Sequence, residues 1–251
     1  AATRRPGSTK VAQPLQLPAA QYRSPDEPHL HHADGALVGS DNWTPRFGMR
    51  EFAIRDKQFY LNGQPLYLKA TFFEGLYPNK IAYPDDRDMA AREIRLARNA
   101  GFNMIRPWRR PPAPMWLDLA DELGVLVVGS PVLECMRLPL STPYLPARVE
   151  REIRESVRRD RNRACVVQWE LFNELHRPIL KKMMRPMALF TRELDPTRLI
   201  LDESGGWAYG ARMYLPSEYE PIRFNDIHTY PGPFISQWRY DGFLSIGLTA
   251  D

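Results

Sequence analysis

The feature that most constrains the fold is a repeated alternation of short apolar runs with longer amphipathic segments. The apolar runs lie at 66–73, 102–108, 125–132, 165–172, 198–201 and 224–228. Runs that are apolar almost throughout are typical of parallel strands buried on both faces, and amphipathic segments between them predict covering helices. The alternation therefore predicts an α/β fold, built either as an open doubly wound sheet or as a closed barrel.

The amphipathic segments carry the signals that begin and end helices. The first begins at Asp85 or Asp86, residue types that cap helix N-termini, and ends at Gly101. Three further helices are predicted at about 114–124, 148–159 and 180–194. No glycine-rich phosphate loop follows the first apolar run, so the strongest signal for a dinucleotide-binding sheet is missing.

The first part of the chain differs from this alternation. Prolines at positions 6, 14, 18, 25 and 28 interrupt any regular element, and we predict that residues 1–46 form an irregular arm. The pattern becomes extended between residues 47 and 69, and Asn62-Gly63 within it predicts a β-hairpin, because both residues tolerate positive φ. We therefore expect an arm over residues 1–46 and one large domain over residues 47–251, which begins with the hairpin.

Composition excludes several classes of partner. The 34 basic residues are interspersed with 30 acidic ones, so the net charge of +4 gives little support for nucleic-acid binding. No apolar run approaches the ~20 residues of a membrane span. Cys135 and Cys165 match no metal-ligand or redox spacing, and we expect no metal and no cofactor. No signal peptide opens the chain, and a soluble protein of bacterial type, cytoplasmic or exported, is expected.

Residues suited to carbohydrate chemistry follow the apolar runs. The carboxyl ends of the strands carry the active site of a (β/α)8 barrel, and the residues there would face one rim. Charged residues are also common at exposed strand ends for no functional reason. Here, however, carboxylates occur together with several aromatic side chains, which cover the apolar face of a sugar while carboxylates bind its hydroxyls. The residues at these ends include Arg106, Trp108, Glu134, Asn173, Glu174, Glu203, Trp207, His228 and Tyr230.

The fourth apolar run carries a resemblance to a known family. The stretch Arg159-Asp-Arg-Asn-Arg163, followed by Val166-Val-Gln-Trp169 and Phe172-Asn173-Glu174, resembles the fourth-strand signature of glycoside hydrolase family 2. This family includes β-galactosidases, β-glucuronidases and β-mannosidases. Further segments resemble the family in the right order, at 47–51, 59–63, 101–106, 117–124, 195–198 and 226–232. The resemblance implies a TIM barrel and a β-glycosidase.

The resemblance also implies roles for individual residues. In a retaining mechanism, Glu174 matches the general acid/base, which requires a raised pKa. Asn173 matches the residue that bonds the sugar 2-hydroxyl, and Arg106 matches an arginine that supports the nucleophile. Trp169 is expected to be buried support. The other expected substrate contacts are His228, Tyr230, Trp108, Trp207, Glu134 and Glu203.

The chain departs from the family pattern near its end. No glutamate follows Glu220, so the family's seventh-strand nucleophile is not found. The run 243–247 is either a seventh strand without that residue or an unrelated tail. The 186 residues from Leu66 onward suffice for about six βα units at roughly 30 residues each. We therefore predict an incomplete barrel of six or seven units.

An incomplete barrel has an unpaired edge, and unpaired edges invite pairing. We expect the edge beside the first strand to be covered by the N-terminal arm, by the C-terminal tail or by a second copy of the chain. Glu203 or Glu134 is a candidate substitute for the nucleophile. Two functional hypotheses remain open at this stage: a β-glycosidase that binds a carbohydrate substrate, and a non-hydrolytic carbohydrate-binding or scaffold remnant of such a barrel.

Overall fold

A computed structural model of the chain describes residues 14, 16–37, 41–108, 110–135, 142–175, 177–205, 211–228, 230 and 234–245. Short strands precede the main sheet. They are β1 His31–His32, β2 Gly35–Leu37, β3 Asp41–Trp43, β4 Arg46–Phe47, β5 Phe52–Arg55, β6 Gln58–Leu61 and β7 Gln64–Pro65. The main sheet consists of β8 Ala70–Phe73, β9 Met104–Pro107, β10 Leu126–Gly129, β11 Leu133–Glu134, β12 Val166–Asn173, β13 Leu199–Ser204, β14 Ala211–Tyr214 and β15 Ile222–Phe224. The helices are α1 Arg87–Asn99, α2 Pro114–Leu123, α3 Leu145–Asp160, α4 Pro178–Lys181, α5 Met184–Leu194 and α6 Gln237–Ser245.

The main sheet has the order β15-β14-β13-β12-β10-β9-β8, with β11 added beside β12. Strands β8 to β13 pair in parallel, as the apolar runs predict. Among the described residues the two outer strands, β8 and β15, do not pair with each other, so the sheet does not close. The prediction of an incomplete α/β barrel is confirmed.

The sixth apolar run does not form the expected parallel strand. Only Phe224 of the run 224–228 lies in a strand, and that strand, β15, pairs antiparallel with β14, which itself pairs antiparallel with β13. Six residues separate β13 from β14, whereas a parallel connection needs a crossover of a dozen or more. The prediction for this run is wrong because the chain turns back directly after β13.

Most helix boundaries follow the local signals. Asp86 caps α1 by accepting a hydrogen bond from the Met89 amide at 2.8 Å. Helix α2 ends at Gly124, whose φ of 72° is left-handed. The helix predicted at 180–194 is divided into α4 and α5. Pro186 lies in the first turn of α5, where its missing N–H costs nothing, whereas a continuous helix would place it in the interior.

The core has two layers. The larger layer packs the buried faces of the helices, such as Val149, Ile153 and Val157 of α3, against one face of the sheet. The second layer lies on the other face of the sheet, where the hairpin strands β5 and β6 contribute Phe52 and Leu61. The hairpin β6–β7 turns at Asn62 and Gly63 with φ of 52° and 77°, which confirms the predicted turn.

The predicted irregular arm contains more structure than the sequence indicated. Strand β1 pairs antiparallel with β4, and β2 pairs antiparallel with β3. Arg23 is completely buried, and its Nη2 donates to the carbonyls of Ala120 and Val125 at 3.0 and 3.2 Å. The described part of the arm is therefore packed on the barrel; the domain boundary after residue 46 stays a prediction.

The open edge and the end of the described chain bear on two further expectations. The outer edge of β8 has no partner strand within the described ranges, and its pairing with a second copy stays a prediction. Residues 243–245 end α6, so the run 243–247 does not begin as a seventh strand.

None of the helices in the described part of the chain has the length and apolar character to cross a membrane.

Candidate active site

The carboxyl ends of the parallel strands bring most of the expected site residues to one rim. Arg106 lies near the end of β9, and Asn173 is the last residue of β12. Glu134, the last residue of β11, is paired in register with Asn173. Glu174 follows immediately, in a left-handed conformation with φ of 48°, and its amide donates to the Ser204 carbonyl at 2.9 Å.

Three donors surround the Glu174 carboxylate. His228 Nδ1 lies 2.5 Å from Oε1, and the Tyr230 hydroxyl donates to the same oxygen. The Cys135 thiol donates to Oε2 at 3.3 Å. His228 and Tyr230 each lie more than 50 residues after Glu174 in the sequence. They fix the direction of the carboxylate at the rim.

These donors determine the ionisation of Glu174. Burial pushes its pKa upward, but the hydrogen bonds from Tyr230, His228 and Cys135 together outweigh burial and leave the pKa below its usual value. The expectation of a raised pKa is therefore wrong for this arrangement of donors, because hydrogen bonding to the charged form of a carboxyl group favours that form. The same contact, with burial, raises the pKa of Tyr230 to about 12, so Tyr230 keeps its hydroxyl proton.

His228 is oriented from its other side. Its Nε2 lies 2.8 Å from Ser204 Oγ. When Glu174 is ionised, Nδ1 carries the hydrogen that faces the carboxylate, and Nε2 then accepts from the serine hydroxyl. Gly205 makes room for the ring, since a Cβ at this residue would lie 2.6 Å from His228 Nδ1. The strand end of β13 thus holds the imidazole against Glu174.

A second group of polar side chains lies beside the first. Glu170, in the interior of β12, receives two hydrogen bonds from Arg106, one from Nε at 2.7 Å and one from Nη2. Nη2 of Arg106 also donates to Asn173 Oδ1 at 2.8 Å. Burial raises the pKa of Glu170, and the pairing with Arg106 opposes that rise. Glu170 was not among the residues singled out from the sequence, and the structure makes it the partner of Arg106.

An open cleft of about 520 Å³ lies over this rim. It is lined by Phe72, Arg106, Trp108, Asn173, Ile227, His228 and Tyr230. The rings of Phe72 and Trp108 meet edge to face at 4.8 Å. Trp108 thus lies where an aromatic contact with a ligand was expected. Trp207 lies outside the described residues, whereas Trp169 is buried as expected, with its Nε1 donating to Asp195.

The sequence profile of the family "Glycosyl hydrolases family 2, TIM barrel domain" matches residues 52–221. The chain belongs to glycosyl hydrolase family 2. A β-galactosidase of Vibrio cholerae is 29% identical over 248 residues, which are 94% of this chain and 23% of that protein. The chain thus spans about a quarter of that relative's length.

Solved structures of family 2 members have the same fold. A β-galacturonidase from Eisenbergiella tayi, bound to galacturonate, superposes with a TM-score of 0.67 at 25% identity, covering 75% of this chain and 34% of that one. β-Glucuronidase 3 of Bacteroides uniformis has a TM-score of 0.63 at 27% identity, covering 72% of this chain and 24% of that one. Each likeness therefore extends over most of this chain and over a minor part of the larger protein.

The two other acidic residues of this family 2 barrel that were expected to contact a sugar differ in burial. Glu203 is completely buried, and its oxygens accept from the Leu175 amide at 2.7 Å and from Lys181 Nζ at 2.8 Å. Both oxygens thus have donors within the chain, so Glu203 supports the loop after β12, and its expected contact with a sugar stays a prediction. Glu134 is half-buried at the rim beside Asn173.

Sequence analysis missed residues that complete the rim. Cys135, for which no site role was predicted from the sequence, is half-buried and contacts both Glu174 and Asn173. It follows a strand end directly, which is the signal that would have found it. Ser204 and Gly205, which hold His228, lie at the end of β13, but β13 extends beyond the apolar run 198–201, so that run did not mark them. Within the described ranges no three His, Cys, Asp or Glu side chains are placed to share a metal ion.

Proposed function

We propose that this family 2 barrel hydrolyses β-glycosides by a retaining mechanism in which Glu174 is the general acid/base. The observation that carries the proposal is the position of Glu174 at the end of β12, hydrogen-bonded to two side chains, His228 and Tyr230, that line the cleft. The names of the relatives indicate galactosides, glucuronides and galacturonides as their substrates. We extend the shared class, a β-linked sugar, to this chain.

The cleft offers complementary contacts for a pyranose. Phe72 and Trp108 present aromatic surface to the apolar C–H face of the ring, while Asn173, Arg106 and His228 present polar groups to its hydroxyls. Asn173 is proposed to bond the 2-hydroxyl, a contact that strengthens in the transition state. Binding would thereby direct the glycosidic oxygen toward Glu174.

The acid role requires a proton on Glu174. In the unliganded site its pKa is lowered, because Tyr230, His228 and Cys135 donate to the carboxylate. A glycoside in the cleft would exclude water from the carboxylate and would compete with the exposed Tyr230 hydroxyl for Oε1. Both changes raise the pKa of Glu174, so the bound state favours the acid form. Glu174 then protonates the leaving oxygen and later accepts a proton from the incoming water.

A retaining reaction also needs a second carboxylate about 5–5.5 Å from the first. Glu203 does not meet this need, since it is buried and both its oxygens accept hydrogen bonds. The proposal therefore assigns the acid/base and the sugar-binding residues and does not assign the nucleophile to Glu203, whereas Glu134, half-buried at the rim beside Asn173, stays a candidate.

The first experiment measures hydrolysis of 4-nitrophenyl β-galactoside, β-glucoside, β-glucuronide, β-galacturonide and β-mannoside by the chain and by its Glu174→Gln variant. General acid/base groups contribute roughly 10²- to 10⁴-fold. We expect Glu174→Gln to lose activity on that scale against the preferred sugar. The panel identifies that sugar at the same time.

The leaving group separates an acid role from a structural one. A 2,4-dinitrophenolate departs without protonation, whereas an alkoxide does not. Glu174→Gln should therefore retain most of the glycosylation rate on a dinitrophenyl glycoside and lose it on a methylumbelliferyl or alkyl glycoside. Equal loss on all leaving groups, or activity that survives the substitution, would contradict the assigned role.

A further inference from the structure

One deeply buried carboxylate near the cleft has no part in the mechanism above. Only 1% of the Glu170 side chain is exposed, and it lies within β12 three residues before Asn173. A buried ion pair is weak evidence for stability, because desolvation of both charges offsets their attraction. The Arg106–Glu170 pair therefore calls for an explanation in terms of what it holds in place.

The pairing fixes the guanidinium plane. Arg106 uses Nε and Nη2 as a fork on the two oxygens of Glu170, so neither its position nor its plane is free. Other acidic side chains, Glu134 and Asp226, lie close enough to raise the pKa of Arg106. Without Glu170 the guanidinium would turn toward these carboxylates at the rim.

The fixed guanidinium in turn orients the amide of Asn173. Nη2 of Arg106 donates to Oδ1 at 2.8 Å, and the Asn173 Nδ2 lies 3.5 Å from Cys135 Sγ. The opposite amide orientation would turn the NH2 group toward the guanidinium and place donor against donor. Asn173 therefore presents an N–H, and not its carbonyl oxygen, to a hydroxyl oxygen in the cleft.

We propose that Glu170 is a positioning residue that, through Arg106, holds Asn173 in the orientation that donates to the sugar 2-hydroxyl. The inference rests on the proposed function, because it concerns the substrate contact of Asn173. It adds a residue that touches no substrate and yet determines how strongly the site distinguishes a sugar from its 2-deoxy form.

The test compares the fastest 4-nitrophenyl β-glycoside of the panel with its 2-deoxy counterpart in the native chain and in Glu170→Gln. Glutamine fills the same volume but lacks the charge and the second acceptor that the fork requires. We expect kcat/KM for the 2-hydroxy substrate to fall roughly 10- to 100-fold, while kcat/KM for the 2-deoxy substrate changes less than about threefold, because a misdirected donor matters only where a hydroxyl is present.

Asp195→Asn is the matched control. Asp195 also pairs with an arginine, Arg198, and their side chains are only 3% and 6% exposed. The Arg198 Nε donates to the Val166 carbonyl, so this pair lies at the opposite end of β12. If Asp195→Asn causes a general loss of stability or folding, it should lower kcat/KM for both substrates by the same factor. The circular dichroism spectrum of the variant measures how far its folding is affected.

A double-variant cycle with Asn173→Ala completes the test. If Glu170 acts through Asn173, the two substitutions together should lower kcat/KM no further than Asn173→Ala alone. Additive losses, or equal losses on the 2-hydroxy and 2-deoxy substrates in Glu170→Gln, would overturn the inference. Neither result depends on Glu174, whose own variant decides the proposed function separately.

Binding gives the same comparison without turnover. NMR titration of the native chain and Glu170→Gln with methyl β-D-galactopyranoside and its 2-deoxy analogue measures the contribution of the 2-hydroxyl directly. The native chain should bind the 2-hydroxy sugar more tightly, and Glu170→Gln should reduce that preference. An unchanged preference in the variant would contradict the proposed positioning.

Discussion

One glutamate lies in the interior of β12 and another directly follows its end. The two carboxylates differ in burial, in hydrogen-bond partners and in the direction of their pKa shifts. Glu170, inside the strand, is desolvated and faces a single guanidinium, and burial raises its pKa. Glu174, four residues later, is at the rim, where burial raises its pKa but three donors from two segments outweigh burial and lower it. The same stretch of chain thus carries the proposed positioning residue, Glu170, and the proposed acid/base, Glu174.

The difference shows that burial alone does not decide how a carboxylate behaves. Glu174 keeps some contact with solvent and accepts a hydrogen bond from the exposed Tyr230 hydroxyl, so a ligand that displaces this donor changes its ionisation. Glu170 has no comparable route, because its partner Arg106 is held by a two-point contact. Removing the partner of Glu170 should therefore mainly lower the free energy of unfolding. Substitutions around Glu174 should mainly change the rate and the pH profile of hydrolysis.

The largest effect is expected from removing the partner of Glu170. Arg106→Met leaves a buried carboxylate without a cation, which costs about 3–5 kcal/mol of unfolding free energy in comparable pairs. Urea denaturation followed by circular dichroism measures the loss. Tyr230→Phe is the contrasting variant, since it removes a donor from the more exposed Glu174 and should cost under about 1 kcal/mol. Equal losses of unfolding free energy in Arg106→Met and Tyr230→Phe would contradict the proposed difference between the surroundings of Glu170 and Glu174.

The second effect concerns the support of Glu174 from β13. Gly205→Ala would place a Cβ 2.6 Å from His228 Nδ1 and displace the ring. We expect hydrolysis to fall roughly 10- to 100-fold, since small displacements of catalytic groups have effects of this size. Gly101→Ala is the matched control: Gly101 also has a positive φ, 88°, but a Cβ at this residue would have no described neighbour within 4 Å. Similar activity losses in both variants would indicate backbone strain alone.

A smaller change is expected in the pH profile. Tyr230 donates to Glu174 and helps to lower its pKa, so Tyr230→Phe raises that pKa. The protonated acid then persists to higher pH, and the basic limb of kcat/KM should move upward, with turnover reduced roughly tenfold by loss of a hydrogen bond to a charged group. Glu170→Gln should not move this limb upward. If the basic limb of Tyr230→Phe moved to lower pH instead, the expected direction of the pKa change of Glu174 would be contradicted.

The smallest effect is expected at Cys135. Its thiol is a weak donor to Glu174 Oε2, so Cys135→Ala should move the basic limb in the same direction as Tyr230→Phe but by less, with a rate change of roughly two- to threefold at most. Cys135→Ser retains a donor and should leave the limb nearer to its native position. A larger shift than in Tyr230→Phe would mean that the thiol, and not the phenol, dominates the carboxylate's environment.

The sequence by itself determined the features that depend on a few neighbouring residues. The cap at Asp86, the left-handed end at Gly124 and the turn at Asn62-Gly63 are encoded locally, and the parallel strands follow from their apolar runs. Glu174 and Asn173 were also found from the sequence, because a strand end is a local position and the surrounding motif resembles a family.

Only the tertiary structure decided what depends on residues distant in the chain. The direction of β14 and β15, the burial of Glu203 and the contact of Glu170 with Arg106 each require pairing that no local pattern specifies. The lowered pKa of Glu174 likewise comes from donors more than 35 residues away. Local sequence sets backbone preference within a few residues, whereas charge, burial and strand direction are set by whichever segments the fold packs together.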